Sequence, residues 1–235
     1  MEKGNRGKSK MKVIYEDNHI IVVEKRPNIP SQGDKSGDID MLTIVKDYIK
    51  NKYNKPGNVY LGLVHRLDRP VGGVMIFAKT SKAASRLSNE VREKIFEKKY
   101  LAVVRGKFEK RSGSLENYLY KDERNNISKV VNKEKKNAKL AKLDYEVLKY
   151  NEVKNLSLVK VNLHTGRHHQ IRVQFATRKY PICGDQRYGE LDNTQIALWA
   201  YSIEFVHPVT KEILTFTKLP TNKPYFQLFK YINNR

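Results

Sequence analysis

One cysteine, Cys183, is all the thiol chemistry that the 235 residues carry. A lone thiol excludes an internal disulfide and a thiolate metal cluster, which fits a reducing, cytoplasmic compartment, and Cys183 reads as packing. Long apolar runs are missing too: nothing approaches the ~18 consecutive apolar residues of a membrane span, and no signal-peptide core follows the basic start. No membrane partner is expected. A nucleotide-binding glycine loop and an internal repeat are also absent. Acidic residues are scarce, 25 Asp and Glu against 46 Lys and Arg, for a formal charge of +21. Solubility does not require so much charge, and a phosphate backbone is the expected counterpart.

With 39% hydrophobic residues the chain can bury one large core or two small ones. Residues 1–11 are read as a disordered basic arm, since Lys, Arg, Gly, Ser and Asn dominate it. No composition break follows, so residues 12–235 are treated as one domain. Val13-Ile14-Tyr15 and His19 to Glu24 read as a hairpin about Glu16-Asp17-Asn18. Asp40 can cap a helix from Met41 to about Tyr53, with Leu42, Val45 and Ile49 on one face. Tyr60 to Val64 and Val74 to Ala78 read as strands. Ala84, Leu87, Val91 and Ile95 recur at helical spacing between Ser81 and Lys98, predicting an amphipathic helix whose exposed side carries Arg86, Arg92, Lys94 and Lys98. Strands are predicted over Tyr100–Val104, Leu140–Tyr150, Leu156–Leu163, Gln195–Phe205 and Ile213–Thr217, with a short helix over His168–Thr177. The Lys- and Asn-rich stretch Lys121–Lys142 reads as a solvated loop that can touch phosphates.

The most informative segment is His65-Arg66-Leu67-Asp68-Arg69-Pro70-Val71-Gly72-Gly73, leading into Val74-Met75-Ile76-Phe77-Ala78-Lys79. It sets one carboxylate between two arginines, which favour its charged form, at a glycine turn open to close approach of something large. On its own it could equally be a capped turn with surface charges. Two further segments accompany it. One is Lys99-Tyr100-Leu101-Ala102-Val103-Val104-Arg105-Gly106. The other is His164-Thr165-Gly166-Arg167-His168-His169-Gln170-Ile171-Arg172, followed by Pro181-Ile182-Cys183-Gly184-Asp185 and Tyr188-Gly189.

In this order, from about Val13 to Pro220, these motifs resemble the RluA-like family of RNA pseudouridine synthases. The resemblance implies an α+β fold: a mixed, largely antiparallel sheet with flanking helices and a central cleft. It implies isomerisation of a specific uridine in structured RNA, ribosomal or transfer, with Asp68 as catalytic nucleophile, no cofactor and no metal. Arg172 is implied as the ion-pair partner of Asp68, bidentate where geometry permits, and Tyr100 as the aromatic residue against the base and a candidate for the closing proton transfer. Ile171 is an expected apolar wall. Arg66 is expected to enter the space left by an everted base, and Arg69 and Arg167 to hold phosphates. A monomer is expected, with no S4-type module before Val13.

Val71-Gly72-Gly73 stands where the family usually has Thr-Ser-Gly, so two hydroxyls are missing and Gly72 is expected to let a main-chain N–H approach RNA directly. Gln174 and Tyr180 stand where histidine is common. His164, His168 and His169 lack an acidic or thiol third ligand nearby in sequence, so no metal is assigned to them. His65 reads as structural. The alternative reading is a noncatalytic RNA-binding or ribosome-assembly factor on the same fold. A metal-dependent nuclease would need an acidic cluster that the chain lacks.

Overall fold

The computed structural model describes residues 11–220. In chain order the elements are β1 (Lys12–Glu16), β2 (Ile20–Lys25), α1 (Met41–Lys52), β3 (Gly62–Leu63), β4 (Gly72–Ala78), α2 (Ser81–Glu93) and β5 (Glu97–Arg105). There follow β6 (Ser112–Asp122), β7 (Ile127–Val131), β8 (Lys139–Asn151), β9 (Leu156–Leu163), α3 (Gln170–Ala176), β10 (Leu198–Val206) and β11 (Ile213–Thr217). The eleven strands form one sheet in the order β1-β2-β4-β10-β5-β9-β8-β6-β7, with β11 on β10 and β3 on β4. Among the described residues, only β4 and β10 run parallel; the other pairs are antiparallel. This is the α+β, largely antiparallel architecture expected from the sequence.

Alternation on the central strands explains the layering. Ile21 and Val23 of β2 and Met75 and Phe77 of β4 share a cluster with Met41, Val45 and Ile49 of α1 and Ile171 and Phe175 of α3. Ile20, Val22, Val74 and Ile76, one residue out of step, pack with Ala83 and Leu87 of α2 on the opposite face. Strands covered on both faces read as unbroken apolar runs, as β2 and β4 do. Asp40 caps α1 by accepting from the Thr43 amide at 2.9 Å, and Thr80 caps α2 through the Ala83 amide at 3.2 Å.

Four expectations need correction. The second helix stops at Glu93, because Lys94 adopts a left-handed conformation (φ 63°). Ile95 is then exposed, and Glu97-Lys98-Lys99 are taken into β5 by pairing with β10, Lys99 also pairing with β9. Lys98 is therefore buried rather than on a solvated helix face. The Lys121–Lys142 stretch is a solvated loop only in part: the end of β6 pairs with β7 and β8 starts at Lys139, while residues 132–138, with Lys133-Glu134-Lys135-Lys136, form an exposed turn. Of Tyr60–Val64, only Gly62–Leu63 pairs, against Ala78 and Phe77. Met11, the last residue of the expected arm, packs partly buried against the core. Residues 1–10 of that arm and 221–235 of the expected domain lie outside the described residues.

Candidate active site

The loop from His65 to Val71 is held by its backbone. Ser31 Oγ donates to the Leu67 carbonyl (2.7 Å) and accepts from the Leu67 amide (3.1 Å). Asn28 N donates to the Arg69 carbonyl (2.8 Å), and Gln195 Nε2 to that of Pro70 (2.6 Å). Beneath the loop, fully buried Lys25 aims its ammonium at the carbonyls of Val71 (2.6 Å), Arg69 (2.9 Å), Arg26 (3.3 Å) and Asp68 (3.4 Å). Burial pushes the Lys25 pKa down to about 7, against the opposing pull of the Asp68 charge. His65 is also buried, and accepts from the Ile76 amide at 3.3 Å. Burial, with the Lys98 charge adding to it, lowers its pKa to about 3 and keeps the ring neutral.

The glycines after this loop serve packing. A Cβ on Gly72 would lie 2.4 Å from the Trp199 ring, and one on Gly73 (φ 134°) 2.1 Å from the Ala200 carbonyl oxygen. Both are buried where β4 runs beside β10. The large body that approaches Gly72 is thus Trp199, which corrects the expectation of a main-chain N–H offered there to RNA.

Arg172 on α3 faces Asp68 from the other side. Its Nη1 lies 3.4 Å from Asp68 Oδ2, while Nε and Nη2 grip Asp185 Oδ2 and Oδ1 at 2.8 and 2.7 Å. The bidentate fork expected for Asp68 therefore belongs to Asp185, and Asp68 receives a single N–H. Asp185 is fully buried and also accepts from the amides of Arg187 (3.0 Å) and Tyr188 (3.3 Å). Burial opposes the Arg172 charge, but the Asp185 hydrogen bonds and the charges of Asp185 and Asp68 outweigh it and raise the pKa. His169 Nε2 stands 3.8 Å from Asp68 Oδ2, and its Nδ1 lies 3.0 Å from the Tyr188 hydroxyl. That hydroxyl accepts from the Ser128 amide at 2.6 Å, leaving its proton for His169 Nδ1, so the assigned tautomer carries N–H at Nε2, toward Asp68. Burial and the adjacent Arg172 hold His169 neutral, at about 2.

Tyr100 lies on β5 between Ala200 and Val161, 7% exposed, in the same buried cluster as Leu67 and Ile171. Burial, then the charge of Asp68, raises its pKa, so the phenol keeps its proton. The Asp68 side chain is 29% exposed, open to the outside on one flank.

A model of the RNA pseudouridylate synthase family matches residues 19–177. The chain belongs to that family. An uncharacterized RNA pseudouridine synthase of Aquifex aeolicus is 35% identical over 218 residues, 87% of this chain and 67% of the relative. A tRNA pseudouridine synthase C of Haemophilus influenzae is 35% identical over 173 residues, 66% of this chain and 72% of the relative. The chain thus spans about two thirds of the length of such relatives. The solved human RNA pseudouridylate synthase domain containing 4 shares the fold, with a TM-score of 0.75 over 92% of this chain and 90% of that one at 20% identity.

Of the residues singled out from the sequence, the pseudouridylate synthase fold brings together Asp68, Arg172, Tyr100 and Ile171. It leaves Arg66, Arg69 and Arg167 on the exposed rim. Arg69 is occupied there by Asp34, Asp38 and Ser36, and Arg167 Nε donates to the Leu140 carbonyl at 2.8 Å. Among the described residues, the side chains in ion-pair range of Asp68 are Arg172 and His169, neither of them its sequence neighbour. His164 is turned to Asp144 (2.5 Å) and His168 to Ser128 (3.0 Å). Cys183 is buried, its thiol pushed up to about 11 by burial. Gln174 donates inward to Asn117 at 3.0 Å, and Tyr180 stacks on Phe108 at 4.0 Å.

Lys25, Asp185, His169 and Tyr188 escaped assignment as site residues. Alternation in β2 was the available signal for Lys25, which continues the inward series Ile21, Val23. Asp185 sits in one of the family motifs, and an acid among so many apolar residues there is a buried-pair signal.

Proposed function

We propose that the chain converts a uridine of structured RNA to pseudouridine, with Asp68 as the nucleophile acting on an everted nucleotide. Attack by Asp68 on C1′ accompanies breakage of the C1′–N1 bond; the released uracil turns, C5 bonds to C1′ as the Asp68 O–C1′ bond breaks and the carboxylate is regenerated, and C5 then loses its proton while N1 gains one. Product and substrate are isomers, so no donor or redox partner enters. The single observation that carries this reading is the Asp68–Arg172–Asp185 chain, in which a buried guanidinium, clamped on one side, presents an N–H to a partly exposed carboxylate. Such a clamp fixes the direction of the carboxylate before substrate arrives.

Tyr100 and Ile171 form the apolar wall against which the base lies. Because the phenol is held neutral, Tyr100 takes the C5 proton only while giving up its own, as a relay rather than a standing base. Arg66 fills the vacated place in the RNA. Arg167 and Arg69 contact phosphates, Arg69 while shared with Asp34 and Asp38. The reading takes residues 12–235 as one catalytic body, acting as a monomer in the cytoplasm on ribosomal or transfer RNA; the named Haemophilus relative and the charge of +21 support an RNA substrate. No described helix is long and apolar enough to cross a membrane.

The test is Asp68→Asn, assayed by mapping pseudouridine in unmodified transfer and ribosomal RNA transcripts. Product disappears while RNA binding persists, because the amide keeps shape and loses nucleophilicity. Full activity in that variant rejects the mechanism, and RNA binding without product by the unaltered chain favours the assembly-factor reading.

A further inference from the structure

Lys98 is a largely buried side chain whose ammonium, among the described residues, has no acid to balance it. It is 9% exposed at the start of β5, and among the described residues no carboxylate or carbonyl accepts from its ammonium. Its neighbours on the strand are of no help: Glu97 is paired with Lys99 at 2.8 Å. The groups around the ammonium are the Phe96 ring, 6.0 Å away, neutral His65, and the backbone of Gly166. Burial lowers its pKa, with no acid near enough to pull it back. An ammonium left with so little water and no acid costs stability, and a fold that needed only bulk there would use methionine or leucine.

Gly166 explains how an anion can reach it. The glycine is exposed, and a Cβ placed on it would lie 3.9 Å from Lys98 Nζ, so any longer side chain there would extend over the ammonium. With hydrogen alone at that point, the tip of the largely buried side chain is left open to the surface. Arg167 is exposed on the same turn. His164, two residues before Gly166, lines a cavity of about 370 Å³ with Lys94, Lys142, Ser114 and Asp144. Asp144, the acid of that cavity, is bound to Ser114 and His164.

We propose that Lys98, beneath the Gly166 turn, is the seat for one phosphodiester of the RNA strand. The inference rests on the reading of the chain as an enzyme acting on RNA. A phosphate there supplies the charge and the acceptors that the protein withholds, and the lysine is desolvated in advance, so the contact gains strength from the low dielectric around it.

The experiment compares the full chain with Lys98→Met and Lys98→Arg, using an unmodified transfer RNA transcript as probe in potassium chloride from about 50 to about 200 mM. In Lys98→Met the slope of log affinity against log salt falls by about 0.7 to 0.9, one phosphate contact, and Lys98→Arg restores it. The free Lys98→Met protein melts higher than the unaltered chain, since an unpaired buried charge has gone. An unchanged salt slope overturns the proposal, whether or not inorganic phosphate protects the unaltered chain on heating; so does a lowered melting temperature, which marks Lys98 as a structural prop. Failure of the unaltered chain to form pseudouridine, with the Lys98 salt effect intact, overturns the catalytic reading and leaves the phosphate seat standing.

Discussion

Replacing Asp185 by leucine while keeping Arg172 separates what the buried clamp does for stability from what it does for chemistry. Arg172 is 3% exposed and Asp185 fully buried, joined by two hydrogen bonds of 2.7 and 2.8 Å. Removing one partner of such a pair costs about 3–5 kcal/mol, because the other charge stays buried. At about 2–4 °C per kcal/mol for a chain of this size, Tm falls by roughly 6–20 °C. The loss of an acceptor for the Arg187 and Tyr188 amides pushes toward the upper end. Turnover falls as well, since the Arg172 guanidinium loses its two-point grip and is left with the 3.4 Å contact to Asp68 and the face of the Tyr188 ring, 5.3 Å away. The decisive comparison is the double variant Arg172→Met with Asp185→Leu. Removing both charges restores most of the stability, as apolar replacements of buried pairs do. Activity does not return, because Asp68 then lacks its guanidinium. Urea melts and single-turnover pseudouridine formation on the same preparations read both effects. A single variant destabilised by less than about 1 kcal/mol, or a double variant with native turnover, refutes the reasoning.

Lys25 makes stability depend on pH in a direction set by its burial. Its folded value of about 7 lies below the ordinary 10.5, so above pH 7 the unfolded chain binds a proton that the folded chain does not, and stability rises with pH. The slope is up to about 1.4 kcal/mol per pH unit from about pH 7 to 8.5, below the range where the raised Cys183 thiol acts in the opposite sense. Lys25→Met flattens that slope in urea melts, and an identical slope in both proteins sinks the assignment. Gly73→Ala places a methyl 2.1 Å from a backbone carbonyl at φ 134° and destabilises by about 3 kcal/mol or more; a loss under about 1 kcal/mol shows that β4 and β10 part easily.

Elements governed by local periodicity were legible in the sequence. The Asp40 cap, α1, β9 and β11 follow from capping chemistry and alternation, and the structure places them where the residues indicate. The β6–β7 hairpin was not, because polar residues dominate β6, charged and asparagine residues fill the turn after it, and the strands gain their stability from cross-strand pairing that no local pattern encodes. The end of α2 depended on Lys94 turning left-handed, which its side chain does not announce. At the site the pattern is the same. Asp68, Tyr100, Arg172 and Ile171 came from motif resemblance, and their convergence from segments up to 104 residues apart is tertiary. Local spacing misled about charge: Arg66 and Arg69 flank Asp68 in sequence, yet the extended chain carries them to the rim, and distant Arg172 supplies the contact.

Burial also decides which groups near Asp68 can move protons. His65 at about 3 and His169 at about 2 are neutral throughout the physiological range, and Tyr100 keeps its phenolic proton. None of them titrates near neutrality, so in the proposed reaction neither histidine serves as the base that collects the C5 proton by cycling through its cationic form. The permanent positive charge that touches Asp68 is Arg172, and the ammonium of Lys25 lies under the same loop, bonded to its carbonyls rather than to the carboxylate. Charge and hydrogen-bond geometry around Asp68 are thereby set by the fold before RNA arrives, and the substrate meets an electrostatic field that need not reorganise during the reaction. In the proposed reaction, what remains for proton transfer is a concerted relay through Tyr100, or through Asp68 itself once it is released from the sugar, because desolvation holds His65 and His169 neutral and the Lys25 ammonium is turned to the loop carbonyls.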